Sequence, residues 1–348
     1  MKRLLTGFFL ALACAAHGQL SNYNSQAYWS RFTLQSHQQQ PAGSDTSLVF
    51  VTNRFIHPDS LRFVDEFIDT SALKYFFLEK QQGTWKVYPE PTLAEAMDHL
   101  PRHRDIVVYA EGMGKIFTSN VERAQLMSGQ YGVNVVMFDY ASINTTYKPS
   151  KNFRFARQNA RLSAPQYLQL LRTIRAARES GEPWTEGVSI STFYHSMGNI
   201  ILEQMMKGQD TGVLAANTTP FVDNLIINAA CVPMRRHARW VEKIHFAKNV
   251  FVHYNKRDMQ LKGAHLLTLK RQLGEKVPQR QRASNAQYVN FLELARWQHS
   301  YFMNFPYNDY RLNAAMVAYF NRLFNGKGVT AGELTALQAS APAATASN

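Results

Sequence analysis

Six short runs of apolar, largely β-branched residues recur along the chain, and they constrain its fold more than any other feature. They are Leu48-Val49-Phe50-Val51-Thr52, Asp105 to Ala110, Asn134 to Phe138, Val188 to Phe193, Leu225 to Ala230 and Asn249 to Tyr254. Apart from Val188 to Phe193, where Ser189 and Ser191 interrupt the apolar residues, none alternates polar with apolar, as a strand with one wet face would. A strand that is apolar on both sides must be covered on both sides. The segments between several runs carry helical spacing. Residues 118–130 read as a helix. So do residues 164–179, with Leu168, Leu171, Ile174 and Arg175 on one face, and residues 199–207 and 311–324. Strands alternating with helices predict an α/β protein, with a mostly parallel central sheet and helices on both faces. Tyr75 to Leu78 and Trp85 to Tyr88 add a strand pair around the turn Gln82-Gly83.

The composition agrees. Of 348 residues, 45% are hydrophobic and only 18% charged, which supports a large core and excludes a mostly disordered chain. The folded region is predicted to span residues 47–328 as one domain. Residues 19–46 are polar and read as a loose lead-in. Residues 329–348 are rich in Ala, Ser and Thr and read as a disordered tail. Lys270 to Gln287 reads as an exposed basic loop.

Residues 1–18, MKRLLTGFFLALACAAHG, have the build of a secretory signal. Lys2 and Arg3 precede the apolar stretch Leu4 to Ala16, and Ala16-His17-Gly18 offers small residues for cleavage before Gln19. A membrane anchor and a lipoprotein signal with Cys14 as acceptor are the alternatives. Cleavage leaves 36 Lys and Arg against 25 Asp and Glu, or +11, with Cys231 as the remaining thiol. The expectation is an exported, periplasmic or extracellular protein without an internal disulfide. Its basic surplus suits an anionic envelope surface. No dense Lys/Arg block or nucleic-acid module is present, so nucleic acid is not an expected partner.

The chemistry concentrates in three places. Tyr194-His195-Ser196-Met197-Gly198 lies where a predicted strand runs into a helix. A serine at that junction has its hydroxyl lifted clear of the sheet, and the following backbone N–H can face a developing oxyanion. A serine that only caps a helix is the plainer alternative. Asp258 follows a late strand, and His299 lies in a loop before the last helix. The chain order Ser, acid, His is that of a triad on such a sheet. His299 would take the Ser196 proton and Asp258 would hold the imidazole tautomer. Asp258 as a turn former and His299 as a packed loop residue are the alternatives. Asp139, after the strand at 134–138, is the reserve acid.

These motifs resemble a bacterial family of α/β-hydrolases of unknown function, DUF900, over roughly residues 47–325. Phe50 to Arg54 is similar to its opening strand. His195-Ser196-Met197-Gly198-Asn199 and His299-Ser300-Tyr301-Phe302 match its serine and histidine motifs without change, and Asn255 to Asp258 falls on its acid segment. The resemblance implies a three-layer α/β-hydrolase fold and a serine hydrolase acting on an ester or related acyl bond, with a small-molecule or lipid-like acyl substrate. The oxyanion donors would be the Met197 N–H with that of Gly112 or Met113.

Three positions depart from the family pattern. Glu111 stands where the family has a histidine, Tyr194 replaces a small residue, and Cys231-Val232-Pro233 replaces Pro-Asp. A carboxylate beside an oxyanion is unfavourable, so Glu111 is expected to turn away, to pair with Lys115 or an arginine, or to be protonated. Tyr194 must find a pocket or strain the turn. Glu111, Tyr194 and His195 are therefore candidate modulators. A catalytically degenerate binding protein of the envelope, on the same fold, is the alternative function.

No cofactor is expected. His237, His245, His253 and His265 are spaced by 8, 8 and 12 residues, unlike zinc ligands. Gly112-x-Gly114 lacks the remainder of a dinucleotide fingerprint. Trp240, Trp297, Tyr301, Phe302, Phe305 and Tyr307 read either as core or as walls of an acyl pocket.

Overall fold

The computed structural model describes residues 26–35, 46–57, 60, 62–208 and 219–340. The signal-like segment 1–18, with Cys14, and the end of the chain at 341–348 lie outside the described residues.

The protein is an α/β structure built on a ten-stranded sheet in the order β1-β6-β5-β2-β8-β7-β9-β10-β11-β12. The strands are β1 (Phe32–Leu34), β2 (Thr46–Thr52), β5 (Lys74–Gln81), β6 (Thr84–Glu90), β7 (Ile106–Ala110), β8 (Asn134–Asp139), β9 (Ile190–His195), β10 (Val222–Asn228), β11 (Ala247–Tyr254) and β12 (Gln287–Asn290). A separate pair joins β3 (Arg54–Ile56) to β4 (Val64–Ile68). Strand β5 runs against its neighbours β2 and β6, and the other pairings in the large sheet are parallel.

The apolar runs became the central strands because helices cover both sides. On β9, Tyr194 packs on Tyr167 of the Ala164–Ser180 helix, with ring centres 5.3 Å apart. The adjacent Phe193 packs on the other face, against Phe324 of the Ala314–Phe324 helix at 5.2 Å. Every residue of β7, β8, β9 and β10 is buried. Among the described residues no helix is long and apolar enough to cross a membrane.

The chain passes from β7 to β8 on one side, then crosses to place β9 on the other side of β7. Where strand order reverses in this way, adjacent loops diverge and open a crevice beyond the carboxyl ends of the strands. The loops after β7 and β9 carry Glu111-Gly112-Met113 and Ser196-Met197.

Three expectations about the edges are corrected. In the described part of the polar lead-in, Trp29 is buried and packs on Phe63 and Phe117, with ring centres 5.4 and 6.4 Å away. Phe32–Leu34 then pairs with β6. Two aromatic anchors outweigh a polar composition. In the tail, Ala331–Ala339 is a helix rather than a disordered segment. Thr330 and Glu333 form a reciprocal capping box at its start, and Leu337 is buried. The basic stretch 270–287 is exposed only in part. Leu273, Val277 and Ala283 are buried, and Gly274 packs so closely that a Cβ would lie 2.4 Å from the Ala230 backbone nitrogen.

Candidate active site

Ser196 follows the last residue of β9 and adopts φ = +52°, the left-handed region that side-chain-bearing residues rarely enter. The turn is held from several sides. The Ser196 N–H donates to Asn228 O at 3.1 Å, and Ser196 O accepts from the Cys231 N–H at 3.0 Å. Asn199 Nδ2 donates to Ser196 O, Tyr194 O and Asn228 O at 3.0–3.2 Å. Gly198 begins the helix Gly198–Lys207 against β7, where a Cβ would come within 2.3 Å of Ala110 O. Glycine here lets the helix press onto the strand, which fixes the direction of the Ser196 backbone.

Asp258 and His299 come together. His299 Nδ1 donates to Asp258 Oδ2 at 2.6 Å, and both residues are buried. Asp258 also caps the helix Met259–Thr268 by accepting from the Leu261 N–H through Oδ1 at 3.0 Å. The helix cap and the partner of the histidine are therefore one residue, using one oxygen for each bond. His299 Nε2 is buried and has no hydrogen-bond partner among the described residues. Its ring lies against His195, the residue before Ser196, with ring centres 4.7 Å apart. No hydrogen bond joins Ser196 Oγ to His299 among the described residues.

The reserve acid is not available. Asp139 is saturated by Arg54 Nε at 2.7 Å, Arg54 Nη2 at 3.1 Å, Asn120 Nδ2 at 2.6 Å and Thr52 Oγ1 at 3.0 Å. This cluster ties the end of β8 to β2 and pairs with no histidine.

The oxyanion loop is corrected in one respect. The Gly112 N–H donates to its neighbour Glu111 Oε1 at 2.6 Å, so it does not face the serine as a free donor. Among the described residues, the backbone N–H groups of Met113 and Met197 carry no such bond. Gly112 contributes by absence of a side chain, since a Cβ there would lie 2.6 Å from Ser196 Cβ and 3.0 Å from both Ser196 Oγ and the Met197 nitrogen.

Glu111 is buried and paired rather than protonated. Its Oε2 meets Arg123 Nη1 at 2.8 Å and accepts from the Tyr109 hydroxyl. Burial pushes its pKa up, but Arg123, His195, Lys115 and the Gly112 amide outweigh it and hold the carboxyl down to about 2. Lys115 is only half-buried at its surface. Burial and Arg123 bring its ammonium down to about 7, while Glu111 pulls the other way.

His195 places Nδ1 3.0 Å from Asn228 Oδ1 and Nε2 3.2 Å from Ser300 Oγ. Burial, aided by His299 and Arg123 against the pull of Glu111, lowers its pKa to about 3, so it stays neutral. The chain continues from Asn228 Nδ2 to His253 Nδ1 at 3.1 Å, and from His253 Nε2 to the Tyr319 hydroxyl at 2.8 Å. Tyr194 points to the opposite face of the sheet and does not enter the crevice. Cys231 is buried, and burial raises its thiol to about 12, which makes it a poor nucleophile.

Of the candidate pocket aromatics, Trp240, Tyr301, Phe302 and Phe305 are core, while Trp297 and Tyr307 are exposed. No group of three or more His, Cys, Asp or Glu that could hold a metal occurs among the described residues. Sequence reasoning did not find Arg123, Asn199 or Asn228. A buried carboxylate needs a cation, so Glu111 itself was the signal for Arg123. Asn199 lay inside the matched motif, but its clamp on the turn is a tertiary fact.

No protein-family profile matches the chain, and no curated protein matches it.

Proposed function

We propose that the chain is an exported serine hydrolase of the α/β-hydrolase fold, akin to the DUF900 proteins, that cleaves an ester or related acyl bond. The observation that carries this reading is the Asp258–His299 pair, bonded at 2.6 Å, with His299 Nε2 left without a partner. That bond to Nδ1 leaves Nε2 as the ring nitrogen open to a serine hydroxyl. Ser196 supports it from the neighbouring loop through its left-handed backbone, and Met197 and Met113 offer unused N–H groups for the oxyanion.

In this mechanism Ser196 Oγ attacks the acyl carbon while His299 Nε2 takes its proton. The tetrahedral oxyanion is held by Met197 and Met113. His299 then returns the proton to the leaving alcohol, and water cleaves the acyl-enzyme by the same route. Asp258 stabilises the imidazolium through its bond to Nδ1. Export rests on residues 1–18.

One observation favours the alternative of a binding protein on this fold. The Glu111 carboxylate takes the Gly112 amide, beside the position where negative charge would develop. Labelling with a fluorophosphonate separates the two readings. Wild type is expected to label at Ser196, and Ser196→Ala and His299→Ala are expected to lose labelling while remaining folded. A folded wild type that does not label would sink the hydrolase reading.

A further inference from the structure

The helix that Asp258 caps ends in an unusual surface. Leu266, Leu267 and Leu269 are 60%, 45% and 87% exposed, and Trp297 beside them is 59% exposed. Leu269 also sits at φ = +53°, so a bulky apolar residue occupies a strained conformation to face water. Lys262, Leu266 and Leu269 follow one another at helical spacing. Lys262 Nζ lies 5.7 Å from the Trp297 ring centre, which joins Trp297 to this stripe.

Cations surround the apolar tip. Lys270 and Arg271 follow it directly. Pro233 pairs with Gln272, and the Met234 N–H donates to Arg271 O at 2.8 Å, which brings Arg235 and Arg236 alongside. Lys262, Lys270, Arg271, Arg235 and Arg236 have no carboxylate partner among the described residues. Arg257, whose guanidinium lies 6.0 Å from the Trp297 ring centre, is paired with Glu293 at 3.2 Å. Two further acids lie nearby: Glu275 is buried and faces His265 at 3.2 Å, and Glu203, which lines a pocket with Arg235 and Arg236, is paired with Lys207 at 2.6 Å.

We propose that this tip docks the protein on an anionic lipid surface, with Leu266, Leu269 and Trp297 entering the headgroup boundary and the cation rim held by lipid phosphates. Apolar and indole side chains ringed by lysine and arginine suit that interface. A second copy is a poorer occupant, because face-to-face pairing would bring two cation rims together. Asp258 starts the same helix, and Trp297 lies two residues before His299. Docking here sets the candidate site beside the lipid. Docking stands apart from catalysis, whereas the corollary that the substrate is a lipid acyl ester rests on the hydrolase reading.

The test is cosedimentation of the purified protein with phosphatidylcholine vesicles, with and without phosphatidylglycerol. Wild type is expected to bind the anionic vesicles, to bind the neutral ones weakly and to be released by high salt. Leu269→Glu with Trp297→Ala is expected to lower binding by about tenfold or more. Leu269→Gly relieves the backbone strain, so it should fold at least as well and still bind less. Equal binding to neutral vesicles, no binding to anionic ones, or an undiminished Leu269→Gly would overturn the proposal. So would a dimer in sizing chromatography that Leu269→Glu dissolves. Fluorophosphonate labelling of the same samples reads the serine separately.

Discussion

Glu111 is the residue on which the chemistry of the crevice turns. It is anionic, buried and 2.8 Å from Arg123, so its charge is met at close range instead of being projected toward the serine. Removing it would strand the arginine. Glu111→Gln should cost about 3–5 kcal/mol of stability, the usual penalty for leaving one partner of a buried pair, and chemical denaturation measures it. The neighbouring glycine makes the opposite kind of contribution. In Gly112→Ala the added methyl would lie within 3.0 Å of Ser196 Oγ and the Met197 nitrogen. Turnover should fall by about 10²-fold or more, as for small misplacements of reacting groups, with far-UV circular dichroism unchanged. At this scale the sequence was partly legible. The chain order led to the expectation that Asp258 and His299 meet, which they do, and that Ser196 sits at the turn after a strand, where it lies. The Gly112 amide was misassigned, because the short bond to the next carboxylate is set by a side-chain rotamer that no spacing encodes.

The elements show where reading a sequence succeeds. Strands β7, β8 and β10 announced themselves through the apolar runs that burial on both faces demands, while β9 also buries Ser191, whose hydroxyl donates to Leu323 O. The pair β3–β4 did not announce itself, being short and partly exposed. The helix Pro149–Leu162 was also missed. Its inward face uses Asn152 and Asn159, which bond to the backbone carbonyls of Asn144 and Ala141, beside the small Ala156 and Ala160, so no large apolar residue marks its buried side. The tail helix was hidden by its small-residue composition, although Thr330-Ala331-Gly332-Glu333 spelled its cap. Thr330→Ala should destabilise that helix by about 1 kcal/mol. Its amides should then exchange with solvent about fivefold faster, which hydrogen-exchange mass spectrometry would read.

Across the whole molecule, acid is the condition to which this design is most exposed. His195 and His253 are buried and neutral, with burial the main cause of pKa values near about 3. The unfolded chain protonates these histidines below about 6.5, whereas the folded one does not until near 3. Between those values the unfolded state holds more protons, so stability falls as pH falls. Glu111 acts in the same direction between its unfolded value near 4.5 and about 2. Each group adds a slope of about 1.4 kcal/mol per pH unit within its window. The melting temperature should therefore decline from pH 6.5 downward, and His253→Asn should decline less steeply.

The two outer strands of the sheet have a consequence of their own. Phe32–Leu34 is three residues long and Gln287–Asn290 is four, while the strands just inside them are seven and eight. A short border offers a neighbouring chain little to pair with. The segment around Trp29 and Phe32 is thus a guard as well as an ornament of the core. Trimming it away would uncover Trp85–Val87 and leave the full length of Thr84–Glu90 as a template for cross-molecule strand addition, so preparations shortened at this end should self-associate more than the longer protein.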